Sequence, residues 1–415
     1  TPNISRVYHR KPTHKRLTLL GKFVSCESHH HRRSASSSLI KMAPGKSKKQ
    51  MAYNKRLTTT TSAAEILAIY AEGGKEFNEI NLSTAIHRFS KNGGESLCSD
   101  PRLATMLDQA AKQVTADGWN SRALSNVCWA VAKMKMRNQS VLFEAIAAEV
   151  EQQAREFSTQ DLANTAWAFA TAGEKSPTLF AALAVEAEKQ VGRFNPQDIA
   201  NTTWAFATAG ASAPKLFMAI AAEAEKQVRF FKPQNLTNTA WAFATASVSS
   251  PKLFAAIAAE VKKQIQRFEP QNLANTARAF AMAGVSSPPL FEAIAAEAER
   301  QQLRDFRPQN LSNTAWAFAT AGVSSQSLFE AIAAEAVKQL QLFTPQNLAN
   351  TAWSFATAGI SSPPLFIAMG LVADAVRGDR GRGGEADADI QAAGAREHRV
   401  GLRDGRAVAT AGISS

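Results

Sequence analysis

The chain has 415 residues, and 45% of them are hydrophobic, so most of its length can contribute to a folded core. No run approaches the roughly 18 apolar residues of a membrane-spanning helix, which excludes an integral membrane protein. The net charge of +12 comes from residues 1–57, which hold 14 basic residues and one acid, whereas the remainder is nearly neutral. A charge so localised does not by itself indicate a nucleic-acid-binding fold.

Residues 1–57 form a distinct basic segment. It is rich in Lys, Arg, Ser and His and has no long apolar stretch, so a secretory signal is not expected. Its composition fits either a disordered basic tail or a transit peptide, and the second alternative predicts a protein of the mitochondrion or chloroplast. The three cysteines of the chain show no pairing pattern, and the histidines at 29–31 have no further ligand at metal-binding spacing. We therefore expect no metal site and no cofactor.

Tryptophan recurs at a step of 37 or 38 residues, with an arginine in one slot of the series. The positions are Trp129, Trp167, Trp204, Trp241, Arg278, Trp316 and Trp353. A fixed period of this size is typical of a solenoid, a propeller or another repeat array. A diverged copy begins at Phe77, where His87 takes the Trp position, so the repeats are predicted to span residues 62–369.

Each repeat contains start and stop signals for two helices. The first helix begins at a proline such as Pro270 and ends at a glycine such as Gly284, residues that suit the first turn and a left-handed cap. The second begins at Ser-Ser-Pro, as at 286–288, and continues through an alanine-rich run. No alternating β-branched run of strand type occurs, which disfavours propeller blades. The sequence predicts an all-α fold, an α-solenoid of tandem two-helix repeats whose concave face is lined by one helix of each unit.

The recurrent string Asn-Thr-Ala-Trp-Ala-Phe-Ala, present at 164–170, 238–244 and 313–319, resembles the helical repeats of organellar RNA-binding proteins. These families include octotricopeptide-repeat proteins, FAST-kinase-like proteins with a RAP domain, chloroplast translation factors of that group, and subunits of the trypanosome RNA-editing substrate-binding complex. The resemblance covers about residues 62–369. It implies binding of single-stranded RNA in mitochondria or plastids, serving transcript stability, processing or translation. The chain departs from the RAP proteins in one respect, because no RAP-like domain is recognisable near its C-terminal end.

Residues at equivalent positions of successive repeats form columns, and two of these columns have both an RNA-binding and a packing interpretation. The Trp column could stack on bases, but packing between adjacent repeats is favoured because Arg278 interrupts any continuous aromatic platform. The second column consists of Asn126, Asn164, Asn201, Asn238, Asn275, Asn313 and Asn350. A base-reading code needs variation between repeats, and this column has none. A hydrogen-bonded ladder of asparagines between repeats is therefore the favoured interpretation.

Three further sets of residues are candidates for binding RNA, because stacked repeats would align them into stripes. The first set is Lys189, Lys226, Lys263, Arg300 and Lys338. The second set is Arg193, Arg229, Arg267 and Arg304. The third set varies between acid and amide, as a reading position would, and consists of Asp161, Asp198, Asn235, Asn272, Asn310 and Asn347. For the two basic sets, the alternative is that the cations lie near helix ends and pair with glutamates such as Glu186 or Glu223. For the third set, the alternative is a first-turn residue favoured by the helix dipole.

The sequence offers no indication of catalysis. His87 is the only histidine between residues 32 and 397, and neither GxSxG nor HExxH occurs. We predict a noncatalytic solenoid that binds single-stranded RNA, acts on no small-molecule substrate and has other RNA-processing proteins as further partners. The alternative is a protein–protein scaffold of the same architecture.

Residues 370–415 break the helical pattern. The segment 379–404 is rich in Gly, Arg, Ala and Asp, after which a repeat-like Ala-Thr-Ala-Gly-Ile-Ser-Ser returns at 409–415. A disordered linker is one interpretation. The other is a repeat read in a shifted frame, which would place any RAP-like domain beyond Ser415.

Overall fold

The computed structural model describes residues 44–136 and 138–380, which consist of helices joined by short turns. No strand occurs in these ranges. Their helices include none with the length and hydrophobicity of a membrane-spanning segment. The transit-peptide prediction and most of the frame-shift hypothesis concern residues 1–43 and 381–415, which lie outside the described residues.

Two leading helices precede eight two-helix repeats, in agreement with the predicted period. The leading helices are α1 (Pro44–Thr59) and α2 (Ala63–Gly73). The repeats are α3 (Glu79–Lys91) with α4 (Pro101–Asp117), α5 (Ser121–Lys133) with α6 (Ser140–Gln153), α7 (Thr159–Ala172) with α8 (Pro177–Gln190), α9 (Pro196–Ala209) with α10 (Pro214–Gln227), α11 (Pro233–Thr245) with α12 (Pro251–Gln264), α13 (Pro270–Met282) with α14 (Pro288–Arg300), α15 (Pro308–Ala321) with α16 (Gln326–Gln339), and α17 (Pro345–Ala358) with α18 (Pro363–Arg380).

The helices are arranged in two layers. Each first helix packs on the first helix of the next repeat, and each second helix packs on the next second helix. Contacts within the first-helix layer are much the more extensive. Buried alanines such as Ala163, Ala166 and Ala168 in α7 allow this close approach, because they add little bulk between the helix axes. The predicted α-solenoid of tandem two-helix repeats is confirmed.

A phenylalanine pair joins each repeat to the next inside the core. Phe180 of α8 meets Phe206 of α9 edge to face, with ring centroids 5.1 Å apart. The same pair recurs from repeat to repeat, as with Phe254 and Phe280 at 5.0 Å. Edge-to-face pairs contribute roughly 0.5–1.5 kcal/mol beyond the burial of their area. No repeat can bury these rings alone, so the core is continuous along the array.

The turn that follows each first helix requires left-handed backbone. Gly210 and Gly322 provide it, each with φ of 64°. Ser247 occupies the same place after α11 with φ of 53°, a conformation unfavourable for a residue with a Cβ. A one-residue insertion after α14 lengthens one repeat to 38 residues and is accommodated by positive φ at Gln302 and Leu303.

The ends of the array differ from the sequence-based boundaries. Residues 44–57, assigned to the basic tail, belong to α1, whose Leu57 is fully buried and whose Arg56 makes two 2.8 Å hydrogen bonds to Glu72 of α2. The charge of the segment concealed this amphipathic helix. At the other end α18 continues to Arg380, beyond residue 369.

Candidate nucleic-acid interface

Each first helix from α7 to α17 presents one polar and aromatic stripe to solvent. In α7 the stripe consists of Gln160, Asn164, Trp167 and Thr171, spaced four, three and four residues apart, while the rest of the helix is largely buried. Because the repeats stack, equivalent positions of successive first helices form columns across the array. The whole surface made by these columns is here called the first-helix stripe. Its Gln column is Gln160, Gln197, Gln234, Gln271, Gln309 and Gln346, all of them exposed.

The Asn column does not form the predicted ladder. Within the described residues no side-chain hydrogen bond joins one asparagine of the column to the next. Among the described residues, one side-chain amide of this column makes a hydrogen bond, that of Asn313. Its Oδ1 accepts from Arg278 Nη1 at 2.9 Å. The prediction was wrong because neighbouring helix axes lie about 8–10 Å apart, beyond the reach of two short amides that point to solvent. Asn164, Asn201, Asn238 and Asn275 are half-buried.

The Trp column packs between repeats and is also accessible. Trp129 and Trp167 have ring centroids 6.3 Å apart, and Trp204 and Trp241 repeat the same distance. The indoles are half-buried, and Trp353 of the last repeat is exposed. In the slot without tryptophan, the guanidinium of Arg278 lies 5.4 Å from the ring centre of Trp316, a cation–π geometry. Contact between neighbouring repeats, the favoured interpretation, is therefore observed, and each ring keeps an accessible part.

The stripe borders a polar groove of about 690 Å³ that crosses three repeats. Amides from α9, α11 and α13 line it, including Asn238 and Asn275 of the Asn column and Asn235 and Asn272 of the third candidate set. Its charged lining residues are Lys232, Arg267 and Glu269. The groove is thus neither apolar nor acidic, the two properties expected of a scaffold surface.

The arginines of the second candidate set lie just before the start of a repeat, in two registers. Arg193 and Arg267 immediately precede the phenylalanine that opens a repeat, whereas Arg229 and Arg304 lie two residues before it. All four are exposed, and none forms an ion pair with an acid in the described part of the chain. Arg267 lines the groove, and the guanidinium of Arg229 lies 4.6 Å from the ring centre of Phe230. These cations remain available to a phosphate.

The cations of the first candidate set lie at the ends of the second helices, where each is paired with a glutamate. Lys226 Nζ lies 2.9 Å from Glu223, and Arg300 lies 2.6 Å from Glu297. The same glutamate accepts a hydrogen bond from the next glutamine, as between Gln227 and Glu223 at 2.7 Å. The pairing alternative raised by the sequence is therefore observed.

The glutamine completes a connection between repeats. Gln227 Nε2 donates to the backbone carbonyl of Phe194, 33 residues earlier, at 2.9 Å. We call the three residues the Glu–Lys–Gln clamp. Its members are Glu186, Lys189 and Gln190; Glu223, Lys226 and Gln227; Glu260, Lys263 and Gln264; Glu297, Arg300 and Gln301; and Glu335, Lys338 and Gln339.

Within the clamp, the pKa values of Glu223 and Glu297 are lowered. Hydrogen bonds from Gln227 and then Lys226 hold the pKa of Glu223 below its ordinary value, against the opposing effect of burial. The pKa of Glu297 is lowered chiefly by the hydrogen bond from Arg300. Both glutamates are therefore fully ionised near neutral pH and neutralise the cations beside them.

Every member of the third candidate set except Asn272 caps a first helix. Asn310 Oδ1 accepts from the backbone N–H of Arg307 at 3.0 Å, and Asn347 Oδ1 accepts from that of Thr344 at 3.3 Å. Asp198 is buried and accepts from Thr159 of the preceding repeat at 3.0 Å, and burial raises its pKa. The capping role uses the side-chain oxygen. The amide nitrogen of Asn347 donates to Ser312 Oγ at 3.2 Å, whereas that of Asn310 makes no hydrogen bond among the described residues.

The described residues contain no group of three or more His, Cys, Asp or Glu side chains that could hold a metal ion. The Gln column was not identified from the sequence. Each of its glutamines lies four residues before an asparagine of the Asn column, a spacing that places both on one face of the helix. The clamp glutamines, whose carbonyl partners lie one repeat away, were also overlooked.

A comparison with protein families gives a match over residues 57–363, which include all seven positions of the Trp column. The matching family is described as RNA-editing substrate-binding complex 6 protein. Of the resemblances noted in the sequence, the one to the RNA-editing substrate-binding complex is therefore confirmed. The match spans well over half of the chain, and the protein belongs to the RNA-editing substrate-binding complex 6 family.

Proposed function

We propose that the protein binds single-stranded RNA along the first-helix stripe, as a noncatalytic component of an RNA-editing assembly. The observation that carries the proposal is a row of amides with unused hydrogen-bonding groups, interleaved with accessible indoles, on successive repeats. Amides can bond to base edges and indoles can stack on bases, which are the two usual means of binding single-stranded RNA. The family supports a role in RNA metabolism, and the resemblance of the repeats supports a mitochondrial location.

The uniformity of the stripe bears on specificity. Helical-repeat proteins that read one base per repeat vary the reading residues between repeats. Here the Gln and Asn columns do not vary, so we expect little discrimination among base sequences. Because the stripe of the first helices from α7 to α17 carries one charged residue, the half-buried Arg278, we also expect a shallow dependence of stripe binding on salt.

The test is RNA binding by the full chain with the amides of the groove removed. In the stripe variant, Gln234→Ala, Asn238→Ala, Gln271→Ala and Asn275→Ala are combined. Its control is Lys215→Ala with Lys252→Ala, which removes exposed cations from the second-helix layer. Fluorescence anisotropy with a labelled single-stranded RNA of about 30 nucleotides should show at least a tenfold weaker affinity for the stripe variant, and less than a twofold change for the control.

A scaffold of the same architecture gives a different result. The unmodified chain would then fail to bind single-stranded RNA even at low salt, or the stripe variant would bind as tightly as the unmodified chain. Either result would reject RNA binding by the stripe.

A further inference from the structure

The stripe changes character at its N-terminal end, in α3 and α5. In α5 the four stripe positions are Arg122, Asn126, Trp129 and Lys133, so cations replace the Gln and Thr found in α7. In α3, Lys91 holds the position that corresponds to Lys133, and His87 holds the Trp position. The amide-and-indole surface therefore continues into a positively charged one.

Three of these side chains, those of Lys91, Lys133 and His87, converge on the indole of Trp129. Lys91 Nζ lies 5.7 Å and Lys133 Nζ 5.3 Å from the ring centre of Trp129. The imidazole of His87 lies 5.5 Å from the same indole. Lys91 and Arg122 are exposed, while Trp129, His87 and Lys133 are half-buried. We call the five residues the cationic cluster.

No acid neutralises the cluster in the part of the chain that the structure describes. Lys91, Arg122 and Lys133 form no ion pair within 4.0 Å there. The one acid of α3 and α5 is Glu79, which accepts hydrogen bonds from the backbone and side chain of Asn120. This contrasts with the clamp, where every cation faces its own glutamate.

The pKa of His87 is lowered by burial and in part by the positive charges of the cationic cluster. Burial lowers it most, and the charges of Lys91, Arg122, Arg88 and Lys133 lower it further, to about 4. The imidazole is therefore neutral at physiological pH. A neutral ring beside Trp129 is suited to contact with a base, while the surrounding ammonium and guanidinium groups attract an anion.

We propose that the cationic cluster is a phosphate-binding site that anchors one end of the bound single-stranded RNA, with Trp129 stacking on a base. The proposal rests on the proposed function and deepens it, because it gives the RNA a fixed point on an otherwise uniform surface. Lys91, Arg122 and Lys133 would contact successive backbone phosphates. Release of condensed counterions at this site would supply most of the salt dependence of binding, because the rest of the stripe carries only the charge of Arg278.

The experiment compares two triple variants of the full chain with equal loss of charge. The cluster variant is Lys91→Ala, Arg122→Ala and Lys133→Ala. The matched control is Lys189→Ala, Lys226→Ala and Lys263→Ala, which removes three clamp cations. The basic residues 1–57 are common to both, so their contribution cancels in the difference. Circular dichroism melts check that each variant remains folded.

With single-stranded RNA, the cluster variant should bind at least tenfold more weakly at about 50 mM salt. The slope of log affinity against log salt concentration is negative, and its magnitude should decrease by about 2. The reason is that three phosphate contacts are removed, and each contact to a single strand contributes roughly 0.7. The control should keep a slope within about 0.5 of the unmodified chain. An unchanged slope in the cluster variant, while the stripe variant loses binding, would overturn the anchor and leave the proposed function intact.

Inorganic polyphosphate provides a second probe, because it carries phosphates and no bases. The cluster variant should lose polyphosphate binding relative to the unmodified chain, and the stripe variant should retain it. If polyphosphate binding depends on the cluster while RNA does not bind at all, the phosphate site stands and the proposed function fails. If polyphosphate binds the cluster variant as tightly as the unmodified chain, the phosphate site is rejected.

Discussion

The two layers of the array use the same kinds of polar side chain in opposite ways. In the second-helix layer, Gln264 Nε2 donates to the Phe231 carbonyl at 3.0 Å and to Glu260 at 2.7 Å, so its amide nitrogen is fully used by the fold. In the first-helix layer, Gln234 and Gln271 recur with the same period but are exposed and make no side-chain hydrogen bond among the described residues.

Recurrence of a polar residue therefore does not by itself distinguish a ligand-binding site from a structural one. A polar residue that recurs because it joins repeats has its bonds satisfied within the array. A polar residue that recurs with unused bonds on an accessible face is a candidate for a ligand. By this criterion the stripe is favoured over the lysines of the clamp as the RNA-binding surface.

The largest expected effect on stability separates the two glutamine columns. Gln227→Ala combined with Gln264→Ala should lower the free energy of unfolding by about 1–3 kcal/mol per site, because each leaves a backbone carbonyl without its donor and a glutamate with only its lysine. The matched change, Gln234→Ala with Gln271→Ala, should stay within about 0.5 kcal/mol of the unmodified chain. Urea unfolding measures both. Equal losses in the two variants would contradict the division between the layers.

A single substitution in the turn between the two layers should increase the stability of the protein. Ser247→Gly is expected to raise the free energy of unfolding by about 0.5–1 kcal/mol, because Ser247 holds a left-handed φ of 53° that glycine adopts without strain. The reciprocal change Gly210→Ser, at φ of 64°, should lower it by a similar amount. Thermal unfolding of the pair checks the prediction, and a loss of stability in Ser247→Gly would refute it.

The smallest expected effect is on the pH dependence of stability. The pKa of Glu223 is lower in the folded chain than in the unfolded chain, so its contribution is present above the ordinary glutamate pKa of about 4.3 and is lost as pH falls through the lowered value. Glu223→Gln should therefore reduce the loss of stability between pH 7 and about pH 3. Glu225→Gln on the same helix is the control, and identical acid profiles for the two variants would contradict the clamp.

The repeat period, the two-helix unit and most helix ends followed from the sequence, because Pro, Gly and the apolar spacing are local signals. Pro270, for example, begins a helix as predicted. The roles of the polar columns did not follow, since the clamp carbonyls lie 33 residues away and the distance between neighbouring helices decides whether two asparagines can meet. The helix α1 was missed because its buried Leu57 lies in a segment dominated by charge.

The most direct test of the account is photocrosslinking of the full chain to single-stranded RNA that contains a photoreactive uridine, with the adducts mapped by mass spectrometry. If RNA lies along the first-helix stripe, adducts should form on first-helix peptides that contain Trp204, Trp241 or Asn275, with the cationic cluster at one end of the footprint. Adducts confined to second-helix peptides that contain Lys189, Lys226 and Lys263 would contradict it.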